Sequence, residues 1–330
     1  MKILLIRFSS IGDIIITSPV IRSVRSKFPE AEIHFLTKEQ FSGILTPNLN
    51  IDKVIVLHKD FTKTLEFLKH QEYDFVIDLH KNIRTLRIKR ALKCNWYSYN
   101  KLNFKKWLFV NFKINLLPKI HLVDRYFEGL KELGITNDGK GLDFYFPEDF
   151  KFNLSEVNLK ENEFIALSIG GTYATKRMPK ERLLELIKRL DLPVVLLGHG
   201  DDDEETAAFL TNSAADKVHN MVGKLSLQQS AYVIKNARRV VTGDTGMMHI
   251  AAAFNKKIEA VWGNTHPDFG MFAYNGSVQH NFVTNHQVAL NCRPCSKLGS
   301  NKCPRGHFNC MNLQDWTAIV NNCNSVEPTQ

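Results

Sequence analysis

Short apolar runs alternate with segments of helical spacing along this chain. Residues 2–8 are apolar and β-rich, and Ser-Ser-Ile-Gly-Asp follows. That order predicts a buried strand, a tight turn and a helix start. Apolar residues then recur at Ile14, Ile15, Pro19, Val20, Ile21 and Val24, which predicts one helix ending before Pro29. Residues 32–37, 54–57 and 75–79 read as strands, with a helix over 61–70. Alternating strand and helix implies a parallel, doubly wound sheet. Residues 137–162 are rich in Gly, Asp, Glu, Asn and Pro and read as a linker, with 142–146 as a short strand opening the second half. The alternation restarts with strands over 164–169, 193–197, 239–242 and 257–262. Pro179 fits the first position of a helix running to about Leu190. The acidic run Asp201 to Glu205 suits the start of the next helix.

The chain has 330 residues, enough for two domains of about 150 residues each. The division expected is 1–150 and 151–330. No apolar run approaches the roughly 18 residues of a membrane span. The apolar start is followed at once by Arg7, Ser9, Ser10 and Asp13, unlike a signal peptide. A cytoplasmic chain is therefore expected.

Three strand-to-helix junctions of the second half carry Gly and Thr: Gly170-Gly171-Thr172, Gly243-Asp244-Thr245-Gly246 and Gly263-Asn264-Thr265. All fall on the predicted C-terminal edge of a parallel sheet, where α/β folds bind ligands. Small residues admit a ligand to the backbone, and free amides with Thr hydroxyls can hold a pyrophosphate. A single such junction reads first as a tight turn, and three on one predicted edge tip the balance to a ligand site. Neither Gly-x-Gly-x-x-Gly nor a Walker A sequence occurs, so NAD and ATPase readings lose their usual support.

Charge adds a partner class. Lys and Arg total 43 against 34 Asp and Glu, a net charge of +9. Between Lys81 and Lys119 lie 11 Lys and Arg and no acid. Such a field favours an anionic partner. The same stretch holds Trp96, Tyr97, Tyr99, Phe104, Trp107, Phe109 and Phe112, a mixture suited to a lipid interface or to single-stranded nucleic acid.

Several motifs together resemble glycosyltransferase family nine, the ADP-heptose:lipopolysaccharide heptosyltransferases. They are the opening strand and loop to Asp13, Asp78-Leu-His-Lys-Asn-Ile-Arg84, His121-Leu-Val-Asp-Arg125-Tyr126, Lys176-Arg-Met-Pro179, Val222-Gly-Lys-Leu-Ser-Leu and Gly243-Asp244-Thr245-Gly246-x-x-His249-x-Ala251-Ala252. Met178 stands where the family has Trp. The resemblance spans nearly the whole chain. It implies a GT-B architecture, two Rossmann-like domains facing across a cleft. The N-terminal domain would bind the acceptor and the C-terminal domain the nucleotide sugar, with a last helix over about 313–323 packing back toward the first domain. It also implies inversion at the anomeric centre, no cofactor and no essential metal.

The resemblance assigns roles residue by residue. Asp13 becomes the general base, although by position alone it reads as a carboxylate complementing a helix dipole. Lys176 becomes the group that stabilises the leaving diphosphate. Gly12, Gly171, Thr172, Glu205, Asp244, Thr245, Gly246 and His249 become donor-binding candidates. For His249 a packed structural role competes, and for Glu205 a solvated helix start. Asp244 is a poor direct ligand for phosphate and suits capping or orienting neighbouring hydroxyls. Arg7, Lys81, Arg84, His121 and Arg125 become acceptor-binding candidates. The partners implied are ADP-heptose and an anionic glycolipid of lipid A-Kdo type, with no nucleic acid. Peripheral contact at the inner face of the cytoplasmic membrane follows. The alternatives are another GT-B nucleotide-sugar enzyme, such as an epimerase, and a basic nucleic-acid-binding protein with a zinc knot.

Of the 6 cysteines, four cluster as Cys292-x2-Cys295-x7-Cys303-x6-Cys310 near His307. Zinc is one reading. The later spacings lack a second close Cys-x-x-Cys pair, which favours reduced thiols packing a loop against the second domain, with no metal.

Overall fold

The computed structural model describes residues 1–277 and 282–325. Residues 278–281 and 326–330, which belong to the expected second domain, lie outside the described residues. The chain divides into two compact units. One comprises 1–101, 120–150 and 274–277, and the other 102–119, 151–273 and 282–325. The sequence boundary at 150 thus coincides with one crossing, while 102–119 and 274–277 are exchanged between the halves.

The first unit begins with β1 (Lys2–Ile6), α1 (Ile11–Ile15), α2 (Ser18–Lys27), β2 (Glu32–Thr37), α3 (Glu39–Leu45) and β3 (Lys53–Val56). It continues with α4 (Phe61–Lys69), β4 (Phe75–Asp78), α5 (Ile83–Leu92) and β5 (Asn95–Ser98). Its strands form one parallel sheet in the order β3-β2-β1-β4-β5. β1 is buried along nearly its whole length, so it reads as an unbroken apolar run. Leu4, Ile6, Leu36, Val76 and Ile88 centre a core over one face.

The single helix expected after β1 is two. Pro19 stands in the first turn of α2. A ring there clashes with the carbonyl four residues back, so α1 cannot run on through it. After β5, α6 (Asn103–Phe112) belongs to the second unit, and α7 (Leu122–Glu128) returns to the first.

The strand expected over 142–146 is absent, and the segment groups with the first unit. Its alternating pattern serves side-chain packing instead of a ladder. Leu142 and Phe144 are buried, and the Phe144 and Phe146 rings lie 5.6 Å apart. Arg22 of α2 bonds Asp138 at 2.6 Å and pairs with Asp143, which fastens the segment to that helix.

The second unit contains β6 (Ile165–Ser168), α8 (Lys180–Arg189), β7 (Val194–Leu197), α9 (Asp201–Ser213), β8 (Val218–Asn220) and α10 (Leu227–Asn236). β9 (Arg239–Gly243), α11 (Gly246–Ala253), β10 (Ile258–Trp262), β11 (Val283–Gln287), α12 (Asn309–Asn312) and α13 (Trp316–Asn324) complete it. Its parallel sheet runs β11-β10-β9-β6-β7-β8. Pro179 precedes α8 as its N-cap and is not its first residue. Leu183, Leu186 and Ile187 of α8 lie on one face and pack with Ile165, Leu196 and Ile319. The last helix starts at Trp316, three residues later than expected, because Asp315 caps it by accepting from the Ala318 amide at 2.9 Å. Among the described residues no helix is long and apolar enough to cross a membrane.

Candidate active site

In the first sheet Ile6, Asp78 and Ser98 lie abreast in register. The residues that follow them, Arg7, His80 and Tyr99, leave along one C-terminal edge. Arg7 is buried, and its guanidinium is fully engaged. Nε donates to the Ser9 carbonyl at 2.8 Å, Nη1 to the Leu79 carbonyl at 2.5 Å and to the Tyr126 hydroxyl at 3.3 Å, and Nη2 pairs with Asp13. Burial opposes its charge, but the Asp13 carboxylate, then Tyr126 and Tyr99, outweigh it and raise its pKa.

Asp13 is the third residue of α1. Its Oδ2 accepts from the Ser10 hydroxyl at 2.8 Å and from the Ser10 amide at 3.2 Å. The dipole-complementing role is therefore present in the geometry, with a buried arginine added to it. About a quarter of the side chain is exposed. Gly12, its neighbour, is buried within α1 and so belongs to the first unit.

Asp78 is buried and shapes the next loop. Its Oδ1 accepts from the amides of His80 at 2.9 Å and Lys81 at 2.7 Å. This turns the chain from β4 into α5. The His80 ring packs on Phe8 at 4.8 Å. Burial, and then the Arg7 charge, push its pKa down to about 3, so it is a neutral imidazole near Asp13. Lys81 donates from Nζ to the Tyr99 carbonyl at 2.8 Å. Arg84 is exposed on the first turn of α5. His121 is buried at the N-cap of α7, where Nδ1 accepts from the Val123 amide at 3.1 Å and the ring lies 4.6 Å from that of Tyr274. Arg125 is buried on α7, and burial lowers its pKa.

The second unit gathers a different set. Lys176 Nζ lies 2.8 Å from Asp244 Oδ2 and donates to the Asp244 carbonyl at 3.2 Å. Asp244 also accepts from Thr265 Oγ1 at 2.9 Å, which ties two of the Gly-Thr loops together. Thr245 is the N-cap of α11, and its hydroxyl lies 3.1 Å from that of Thr242. The Thr245 side chain makes no capping bond to the amides of α11 among the described residues, and the first turn of that helix holds no acid. Gly246 opens that helix. A Cβ on Gly243 would lie 2.9 Å from the Lys176 carbonyl, so the close approach of these chains requires glycine. A Cβ on Gly171 would meet Lys176 Cβ at 3.4 Å, which places that loop beside the same lysine.

The remaining candidates lie differently. Thr172 is exposed. Glu205 is 77% exposed and pairs with Lys180 at 3.2 Å. His249 is buried within α11. Two residues escaped the sequence reading. His80 stood inside a quoted motif without a role. Asn264 is buried on the loop tied to Asp244, and its side-chain amide makes no hydrogen bond among the described residues. No local pattern marks either one, since register and loop packing put them there.

The cysteine-rich segment braces this edge. Arg293 is buried and donates to the carbonyls of Gly263 at 2.6 Å, Thr265 at 3.0 Å and Val288 at 2.6 Å. The Cys295 amide donates to the Asn264 carbonyl at 3.0 Å. All six cysteines are free thiols. Burial pushes Cys310 up to about 11 and Cys323 up to about 12. Cys292 Sγ lies 4.0 Å from His307 Nε2. Among the described residues no group of three or more His, Cys, Asp or Glu is arranged to hold a metal ion.

Comparison with known proteins gives the same picture of the fold. Lipopolysaccharide heptosyltransferase 1 of Campylobacter coli is 28% identical over 290 residues, 80% of this chain and 84% of that protein. The crystal structure of a glycosyl transferase family 9 protein from Veillonella parvula matches at a TM-score of 0.71 and 23% identity, covering 88% of each chain. An Escherichia coli heptosyltransferase solved with ADP matches at 0.65 and 22% identity, covering 86% of this chain and 92% of that one. These likenesses make the fold GT-B, with two parallel-sheet α/β units. The family described as glycosyltransferase family 9 (heptosyltransferase) matches residues 61–302. The opening loop with Asp13 lies before that match, while Lys176 and the Gly-Thr loops lie within it. The chain is an enzyme that belongs to glycosyltransferase family 9 (heptosyltransferase).

Proposed function

We propose that this enzyme transfers a heptose from ADP-heptose, with inversion, to an anionic lipopolysaccharide inner-core acceptor of lipid A-Kdo type. The relatives that support the sugar and the acceptor are named lipopolysaccharide heptosyltransferases, and one neighbour was solved with ADP. The single observation that carries the mechanism is the placement of Asp13. Its carboxylate sits on a C-terminal sheet edge, where the three donors named above aim at it and part of it faces solvent.

In this reading the first unit binds the acceptor and the second the donor. The acceptor hydroxyl attacks the anomeric carbon and gives its proton to Asp13. The bond from that carbon to the diphosphate oxygen breaks, and the electron pair leaves with ADP. Arg7 positions Asp13 and keeps its charge compensated. Neutral His80 offers the acceptor a hydrogen-bonding edge without adding charge. Lys176 opposes the negative charge growing on the departing diphosphate. The uncapped amides of α11, the Thr245 hydroxyl and Gly246 hold its phosphate oxygens. Asp244 orients Lys176 and Thr265. Lys81, Arg84 and Arg125 supply positive charge for acceptor phosphates or carboxylates.

The test measures ADP release from ADP-heptose with and without a Kdo-lipid A acceptor. Wild type should release ADP only with acceptor, and Asp13→Asn should lose about 10²–10⁴ of that rate. Asparagine is preferred to alanine because it removes the base yet keeps an oxygen that accepts from Arg7 and Ser10. Equal rates in both proteins would remove the base assignment. Acceptor-independent turnover would move the enzyme to another nucleotide-sugar reaction.

A further inference from the structure

We propose that α6 and the chain following it to residue 119 dock this protein on the surface of an anionic lipid bilayer. The segment has two unlike faces. Inward, Phe109 is buried with its ring 5.1 Å from His266 and 5.7 Å from Phe269. Lys113 Nζ fastens the end of α6 by donating to the Pro294 carbonyl at 2.8 Å. Outward stand Phe104, Trp107 and Phe112, 69%, 51% and 59% exposed. Phe104 and Trp107 stack at 6.1 Å and 19°, and Trp107 meets Phe112 edge-on at 5.3 Å. Ile114 and Leu116, about half exposed, follow in the chain. An exposed cluster of packed rings of this kind marks a binding face.

Charge selects the partner. Residues 102–119 hold four lysines and no acid, and residues 282–314, which pack against them, hold no acid either. Lys297 lies 3.3 Å from Asn103 at the start of α6, and Lys302 and Arg305 are exposed nearby in sequence. Asp268 reaches the segment and accepts from Asn115. Aromatic rings flanked by lysines suit the headgroup region of an anionic membrane. A nucleic acid fits less well. The rings stack on one another instead of standing open as base platforms, and Ile114 and Leu116 offer no stacking face. A 10-residue helix is about 15 Å long, so it lies on a bilayer without crossing it.

The experiment floats the full chain with acceptor-free vesicles, so its result is independent of the transferase reading. The protein should float with phosphatidylglycerol–phosphatidylethanolamine vesicles and not with phosphatidylcholine alone, and high salt should weaken the binding. Trp107→Ser with Phe112→Ser should weaken it at least about tenfold. Lys105→Glu with Lys119→Glu should cost about tenfold and flatten the salt dependence. These side chains are exposed, and unchanged thermal melts will show that the variants fold. Trp107→Phe should keep flotation but lose a vesicle-induced blue shift in tryptophan emission. Unaltered flotation of the Trp107→Ser, Phe112→Ser variant would overturn the proposal. So would binding to poly(U) without vesicle binding, or a dimer that Trp107→Ser dissociates while nothing floats.

Discussion

On the first sheet edge, Asp13 is met by side-chain donors from Arg7 and Ser10 and by one amide, and the arginine is itself spent on carbonyls and a tyrosine. On the second edge, one lysine and one carboxylate stand among glycines, threonine hydroxyls and the uncapped start of α11. Side chains wired to one another hold one carboxylate by both its oxygens, a fixed geometry of the kind proton transfer requires. Exposed main-chain amides accept a whole diphosphate, whose oxygens are many and whose charge is spread. In the proposed reaction the first edge serves the deprotonation and the second the departure.

Substitutions should divide along the same line. The largest expected effect is that of Asp13→Asn, which should lower kcat by about 10²–10⁴ while ADP affinity, read by calorimetry, stays put. Lys176→Met should cost about 10²–10³ in kcat and weaken ADP binding as well, and Lys176→Arg should recover part of both. If Asp13→Asn also weakened ADP binding, the two edges would not be separable. Gly243→Ala forces a Cβ to 2.9 Å from the Lys176 carbonyl and should destabilise the fold by about 1–3 kcal/mol in denaturant titration. The smallest effect concerns acid. His80 binds its proton near pH 3 when folded and near its ordinary 6.5 when unfolded. Between those values the unfolded chain holds more protons, so stability falls as pH falls. His80→Asn should flatten that slope in melts taken from pH 7 to pH 5.

Much of this frame was readable in the chain itself. Strands buried on both faces, such as β1, β6 and β7, appear as apolar runs because parallel sheets cover both sides. The edge strands β5 and β11 escaped for the converse reason. Asn-Trp-Tyr-Ser and Val-Thr-Asn-His-Gln keep solvent on one side and carry polar residues accordingly. The glycine junctions were visible as composition. What they touch was not, since the bond from Thr265 to Asp244 spans 21 residues. Asp13 and Lys176 entered through motifs. His80 and Asn264 needed the register of three strands and the packing of a distant loop.

Arg293 carries a consequence for diversification. All three described bonds of its guanidinium go to main-chain carbonyls, two of them on residues 263 and 265. A brace that grips only peptide oxygens is blind to the side chains between them. The hold on the 263–265 loop thus passes through its peptide oxygens, and what limits replacement of residue 264 is the space its buried side chain fills, not the brace.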